Sequence, residues 1–156
     1  MFVHTPSIKE IEDVFHTRAL LEGECARLAA GKIADTQLRV LERILGLGAS
    51  AVEAGETPEL LKLNERFHST IVAAAENSIM SKMMETLQRR IRWYFSGVVV
   101  TRAVGSWDQH SKIYLALRDR DGGTAAGHMA DHIDQTLRAL QARWVPANGV
   151  ALMPGG

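Results

Sequence analysis

The chain carries one cysteine, Cys25, so neither an intrachain disulfide nor a multi-cysteine zinc finger is available to it. It has no excess of charge: 18 Lys and Arg stand against 18 Asp and Glu. A domain that grips DNA by itself usually carries a basic excess to displace counterions from phosphates. Direct nucleic-acid binding by these residues alone is therefore not expected. No apolar run approaches the ~20 residues that cross a bilayer, and no basic segment followed by an apolar core opens the chain as a signal peptide would. These absences predict a cytoplasmic protein with no membrane partner. Internal repeats, low-complexity linkers, a P-loop, a dinucleotide-type glycine pattern and a nucleophile motif are also missing. Nothing in the residues specifies a reaction, and the expectation is that the protein is not an enzyme.

What is present is helical periodicity. A chain of 17.2 kDa with 46% hydrophobic and 23% charged residues has the size and composition of one globular domain, and its apolar residues recur at helical spacing almost throughout. Six segments can be read. The first opens at Ser7, which stands at capping-box spacing from Glu10; its stripe runs through Ile11, Phe15, Arg18, Glu22, Cys25 and Ala29, with a kink conceivable at Gly23. The second follows Asp35 as N-cap and ends near Gly55. The third starts at Thr57-Pro58, a cap followed by proline in the first turn. Asn77 and Ser78 precede a long fourth segment through Phe95, whose end at Gly97–Thr101 is rich in β-branched residues. The fifth is expected to start at Ser106-Trp107-Asp108-Gln109, a second match to capping-box spacing. The sixth follows Asp121. The fold class predicted is an all-α antiparallel bundle of six to seven helices over residues 7–144, with a loose tail over 145–156.

In such a bundle the informative residues are polar ones at core-facing positions. Asn64 and His68 are four apart on the third helix and share a face. His110 lies in the stripe Trp107, His110, Tyr114, Leu117. His132 borders the stripe of Met129, Ile133 and Leu140, with His128 one turn before it. Three helices thus each present an imidazole toward the interior. Imidazole suits zinc, nickel, iron and copper, and bundle cores house such sites. Spacing leaves two readings open: one shared divalent site, or three separate histidines hydrogen-bonded at the core margin. Arg18 and Glu22 are also four apart on an apolar stripe, either as an i,i+4 ion pair at its edge or with the guanidinium turned inward to meet a carboxylate ligand. Arg89, Arg90 and Arg92 cluster on the fourth helix.

Several of these segments, in order, resemble one known family. Arg18-Ala-Leu-Leu-Glu22 with Ala26-Arg-Leu-Ala-Ala30, Leu63-Asn64-Glu65-Arg66-Phe67-His68, Ala73-Ala-Ala-Glu-Asn77, His110-Ser-Lys-Ile113-Tyr-Leu-Ala116-Leu117, and Asp121, Ala125, Met129 and His132 are similar to the C-terminal effector-binding (FCD) domain of GntR-type bacterial transcription regulators of the FadR subfamily. The resemblance runs from about Ser7 to Leu140. It implies a dimerising helical bundle that binds a small effector, often an organic acid, beside a divalent metal, with zinc or nickel expected here. The implied ligands are Asn64, His68, His110 and His132, and the implied effector-binding residues are Arg18, Arg90, Arg92 and Asn77. Asn64 departs from the pattern, because metal-binding members usually carry aspartate there; His128 is a conceivable substitute ligand. The resemblance further implies a homodimer and DNA binding through an N-terminal winged helix-turn-helix absent from this chain, of which residues 1–6 look like a linker remnant. Two other functions remain alternatives. One is a metal-dependent enzyme, for which Glu65 is the neighbouring candidate base although it points some 100° around the helix from Asn64. The other is a purely structural interaction bundle.

Overall fold

A computed structural model describes residues 5–144; the expected tail over 145–156, and residues 1–4 of the expected linker remnant, lie outside the described residues. Six helices and no strand are found among them: α1 (Ile8–Lys32), α2 (Asp35–Ala54), α3 (Thr57–Ala74), α4 (Ser78–Ser96), α5 (Val99–Arg118) and α6 (Gly122–Arg143). The all-α bundle is as predicted.

Local chemistry sets most of the boundaries. Ser7 Oγ accepts the Glu10 amide at 3.1 Å and starts α1, satisfying one of the orphan donors of the first turn. α1 then runs through Gly23 as one helix. Gly55 closes α2 in the left-handed conformation, at φ 67°, which glycine adopts without a Cβ penalty. Asn77 Oδ1 accepts the Met80 amide at 3.0 Å to start α4, and Asp121 Oδ1 accepts the Thr124 amide at 3.0 Å to start α6. Ala34 rather than Asp35 is the N-cap of α2.

The start of the fifth helix differs from the sequence reading. α5 begins at Val99, seven residues before Ser106, which is buried in mid-helix. A capping box needs its serine in extended backbone at a helix start, so spacing alone misled here. Val98 and Val99 are fully buried, and that tertiary burial outweighs the modest helix propensity of β-branched residues.

α1 is the hub. It packs most extensively on α6 and also touches α3, α4 and α5, while α2 lies against α3 and α5. Phe15, Leu41, Phe67, Ile113, Leu117 and Met129 are all essentially sealed from solvent, and each such side chain gains roughly 1.5–3 kcal/mol from burial. α2 approaches α5 closely at Gly48, where an added Cβ would lie 1.5 Å from Trp107 Nε1. Gly48→Ala is therefore expected to destabilise the fold by about 1–3 kcal/mol through overpacking. Gly46→Ala, two positions earlier in open space, should stabilise it by about 0.5–1 kcal/mol through helix propensity alone. Opposite shifts of the urea midpoint would confirm the contact.

Candidate metal centre

The site is built around α1. Arg18 and Glu22, one turn apart, are 2% and 1% exposed, and Arg18 Nε donates to Glu22 Oε2. The guanidinium also sits 5.5 Å from the Phe15 ring centroid, within reach of a cation–π contact. Burial disfavours the charged form of Glu22, but Arg18 and then His68 overcome it and hold its pKa down at about 2. The other Glu22 oxygen, Oε1, lies 2.6 Å from His68 Nδ1. Of the two readings of this pair, the exposed one fails: it is a buried pair that orients a histidine.

α3, α5 and α6 bring His68, His110 and His132 to one point. All three are buried, and their ligand atoms lie within 4.8 Å of one another. His132 Nε2 is 3.2 Å from His68 Nε2 and 3.2 Å from His110 Nε2. Ligand nitrogens at ~2.0–2.1 Å around a tetrahedral zinc stand about 3.3 Å apart, and the two separations from His132 match that spacing.

Protonation follows from the partners. Burial lowers the pKa of His68 and drives those of His110 and His132 well below the ordinary imidazole range, so the rings are neutral at neutral pH. The ionised Glu22 can only accept, so His68 carries its hydrogen on Nδ1 and its Nε2 is a bare lone pair. His132 Nδ1 lies 2.8 Å from Gln109 Oε1. Arg102, which can only donate, meets the same oxygen at 2.6 Å. That identifies the atom as oxygen, so His132 also has its hydrogen on Nδ1 and a bare Nε2. Two lone pairs then face each other at 3.2 Å, an arrangement that a cation between them relieves.

Asn64 supplies a second sign. It is buried one turn before His68, and its Oδ1 has no hydrogen-bond partner among the described residues. A buried acceptor left unpaired costs about 1–3 kcal/mol, and coordination would satisfy it. Three imidazoles and an amide oxygen are a donor set suited to zinc or nickel. Cys25 is not in the converging group; it is fully buried, and burial, with Glu22 and Glu24, pushes its thiol up to about 11.

The remaining candidates are placed elsewhere. Asn77 is occupied as the α4 cap. Arg90 and Arg92 lie on the outside of α4, more than half exposed, 3.8 Å from Glu10 and 3.5 Å from Glu65. Neither lines the cavity that adjoins His68. The arginines fall there because their positions on α4 face away from the buried stripe of Met84, Ile91, Tyr94 and Phe95. His128 lies outside the converging group and lines another cavity of about 260 Å³, with Asp108, Lys112 and Asp131. Gln109 and Arg102 were missed. Spacing in the sequence points to Gln109 only as the end of a capping box; the signal that marks it is its distance from Arg102, two turns along one helix face.

Beside His68 a cavity of about 430 Å³ opens between α3 and α4, with Glu22 and His68 in its wall. This is within the range of small-ligand pockets.

The Glu22 pKa carries a sign. Because it is depressed in the fold, its stabilisation is complete above the unfolded value near 4.5 and is lost as pH falls toward about 2. Wild type should exceed Glu22→Gln by about 3 kcal/mol at neutral pH. The gap in urea-unfolding free energy should close progressively below pH 4.5.

Comparison with known proteins accords with the helical bundle. Residues 13–135 match the FCD domain family. The chain is 31% identical over 135 residues to the Nta operon transcriptional regulator of Aminobacter aminovorans, covering 83% of this chain and 62% of that protein. It thus spans about three fifths of the length of the relatives it matches. Streptococcus agalactiae GntR superposes with a TM-score of 0.72 at 30% identity, over 82% of this chain and 58% of that one. E. coli McbR/YncC superposes with a TM-score of 0.82 over 90% and 72%, and at 17% identity it shows the fold alone. The relatives are transcriptional regulators, so the family is regulatory rather than catalytic. With a match over most of its length, the chain belongs to the FCD domain family.

Proposed function

We propose that this chain is the effector-sensing and dimerisation domain of a GntR-type transcriptional regulator, with a divalent metal, zinc or nickel, at the centre of its sensor. The observation that carries the reading is the convergence of three buried imidazole nitrogens, two of them bare of hydrogen; the buried, unpartnered Asn64 oxygen one helical turn before His68 supports it. His68, His110, His132 and Asn64 would hold the ion. When bound, it supplies a positive centre to which a small carboxylate can coordinate.

The chain's own residues set the terms of that binding. Glu22 and Gln109 fix two imidazoles in the ligating tautomer. Arg18 cancels the charge of Glu22, so the protein contributes no net negative charge to the interior and an anionic effector is favoured there. α1 touches α3, α5 and α6, the three helices that carry the histidines, so a change at the site is transmitted to the bundle's central helix. In the regulator, effector binding would shift the relative placement of two bundles and hence of DNA-reading heads, which belong to parts of the relatives that this chain does not span. Exposed Leu20 on α1 and Ile79 and Met83 on α4 provide apolar area for the dimer contact.

Elemental analysis of untagged protein is expected to find about one zinc or nickel per chain, absent from the His68→Ala/His110→Ala double variant. Asn64→Asp should tighten zinc binding by at least about tenfold, because a carboxylate replaces a neutral oxygen. A protein that remains metal-free after incubation with both ions would refute the centre.

Gln109→Leu touches no ligating atom. It should still weaken zinc about 10–100-fold in a chelator competition, the usual cost of losing an outer partner. In the metal-free protein, nitrogen NMR should show His132 losing its fixed Nδ1–H tautomer.

A further inference from the structure

The cavity beside His68 has a charge pattern that the metal centre does not explain. Its wall contains three carboxylates, those of Glu22, Glu65 and Glu85, and neither lysine nor arginine. Glu22 is neutralised from within by Arg18. Glu65 has only a 3.5 Å contact with the half-exposed Arg92, and Glu85 forms no ion pair among the described residues. Such an acidic wall repels the second carboxylate of a dicarboxylic acid. The rest of the wall holds apolar Val72 and Ala73 of α3 and Met84 of α4, with Ser69, Ser81 and Gln88 as neutral hydrogen-bonding groups; Val72 and Met84 are buried like His68, whereas Glu85 is exposed.

The interior has the opposite demand. Arg18 and Glu22 cancel, the imidazoles are neutral and Asn64 is an amide, so the charge of a bound divalent ion is left to be met by the ligand. From these two halves we infer that the effector is a zwitterion: a carboxylate at the metal, a short methylene chain along Val72, Ala73 and Met84, and an ammonium or similar cation at Glu65 and Glu85. The inference rests on the metal-centred reading above and adds the chemistry of the other end of the ligand.

The test uses the full chain loaded with zinc, its metal content measured first, and calorimetric titration with compounds matched in length. One set is γ-aminobutyrate, butyrate and succinate; the other is δ-aminovalerate, valerate and glutarate. At least one amino acid is expected to bind no less than about threefold more tightly than its plain acid and its diacid, the scale of a partly exposed ion pair. The Glu65→Gln/Glu85→Gln variant should lose that preference while keeping its zinc and its thermal midpoint, since both side chains are at the surface. Equal or tighter binding of the plain acids or diacids overturns the inference and leaves the metal centre standing. So does a preference that survives in the double variant, or zinc-loaded protein that binds none of the amino acids. A chain that takes up no zinc overturns the underlying reading and this one together.

Discussion

The interior of this bundle depends on one buried contact, the Arg18–Glu22 pair on α1. A carboxylate sealed from water is costly unless a cation meets it and its remaining lone pairs are used. Here the cation comes from the same helix one turn away, so helix geometry itself delivers it. The second oxygen of Glu22 is then free to hold His68. Without Arg18 the carboxylate would be held less well as an anion, the His68 tautomer would lose its anchor, and the cluster of imidazoles would lose its orientation.

Around that contact the three histidines are held unequally. His68 is fixed by a charged acceptor and His132 by a neutral one, itself oriented by Arg102. His110 has no hydrogen-bond partner at Nδ1 among the described residues and is positioned by packing instead, stacked on Phe67 with ring centroids 4.2 Å apart and tilted against Trp107 at 5.0 Å. Ser106, one turn earlier on α5, is likewise buried with its hydroxyl unpaired. Two of the three imidazoles thus depend on hydrogen bonds and one on the shape of the core. This explains why α2, which contributes no histidine to the cluster, matters to the site: Gly48 makes room for Trp107, and Trp107 backs His110.

Much of this was legible before any coordinates. Arg18, Glu22, Asn64, His68, His110 and His132 each interrupt an apolar stripe, and each proves buried. A polar residue at helical period on a core-facing line carries its own signal, since burial must be compensated. The caps at Ser7 and Asp121 were equally plain, because one side chain and one nearby amide suffice to make them. What failed was information carried by contacts between distant segments. Ser106 satisfied a spacing rule, but the burial of Val98 and Val99 decided where α5 begins. The family resemblance implies effector roles for Arg90, Arg92 and Asn77; helix phase places the two arginines on the outside of α4 and Asn77 at its cap. The link from Glu22 to His68 spans 46 positions, and the link from Gln109 to His132 joins two helices. No local pattern encodes either.

The lone thiol has a consequence of another kind. Cys25 sits on the hub helix with no exposed surface, three residues beyond Glu22, and its high pKa leaves little thiolate even when a reagent is near. A thiol-modifying probe can reach it only through excursions that part α1 from its neighbours, so its labelling rate is a clock for those openings. Because no other cysteine competes for the reagent, the chain reports on the breathing of its own centre without any engineered label.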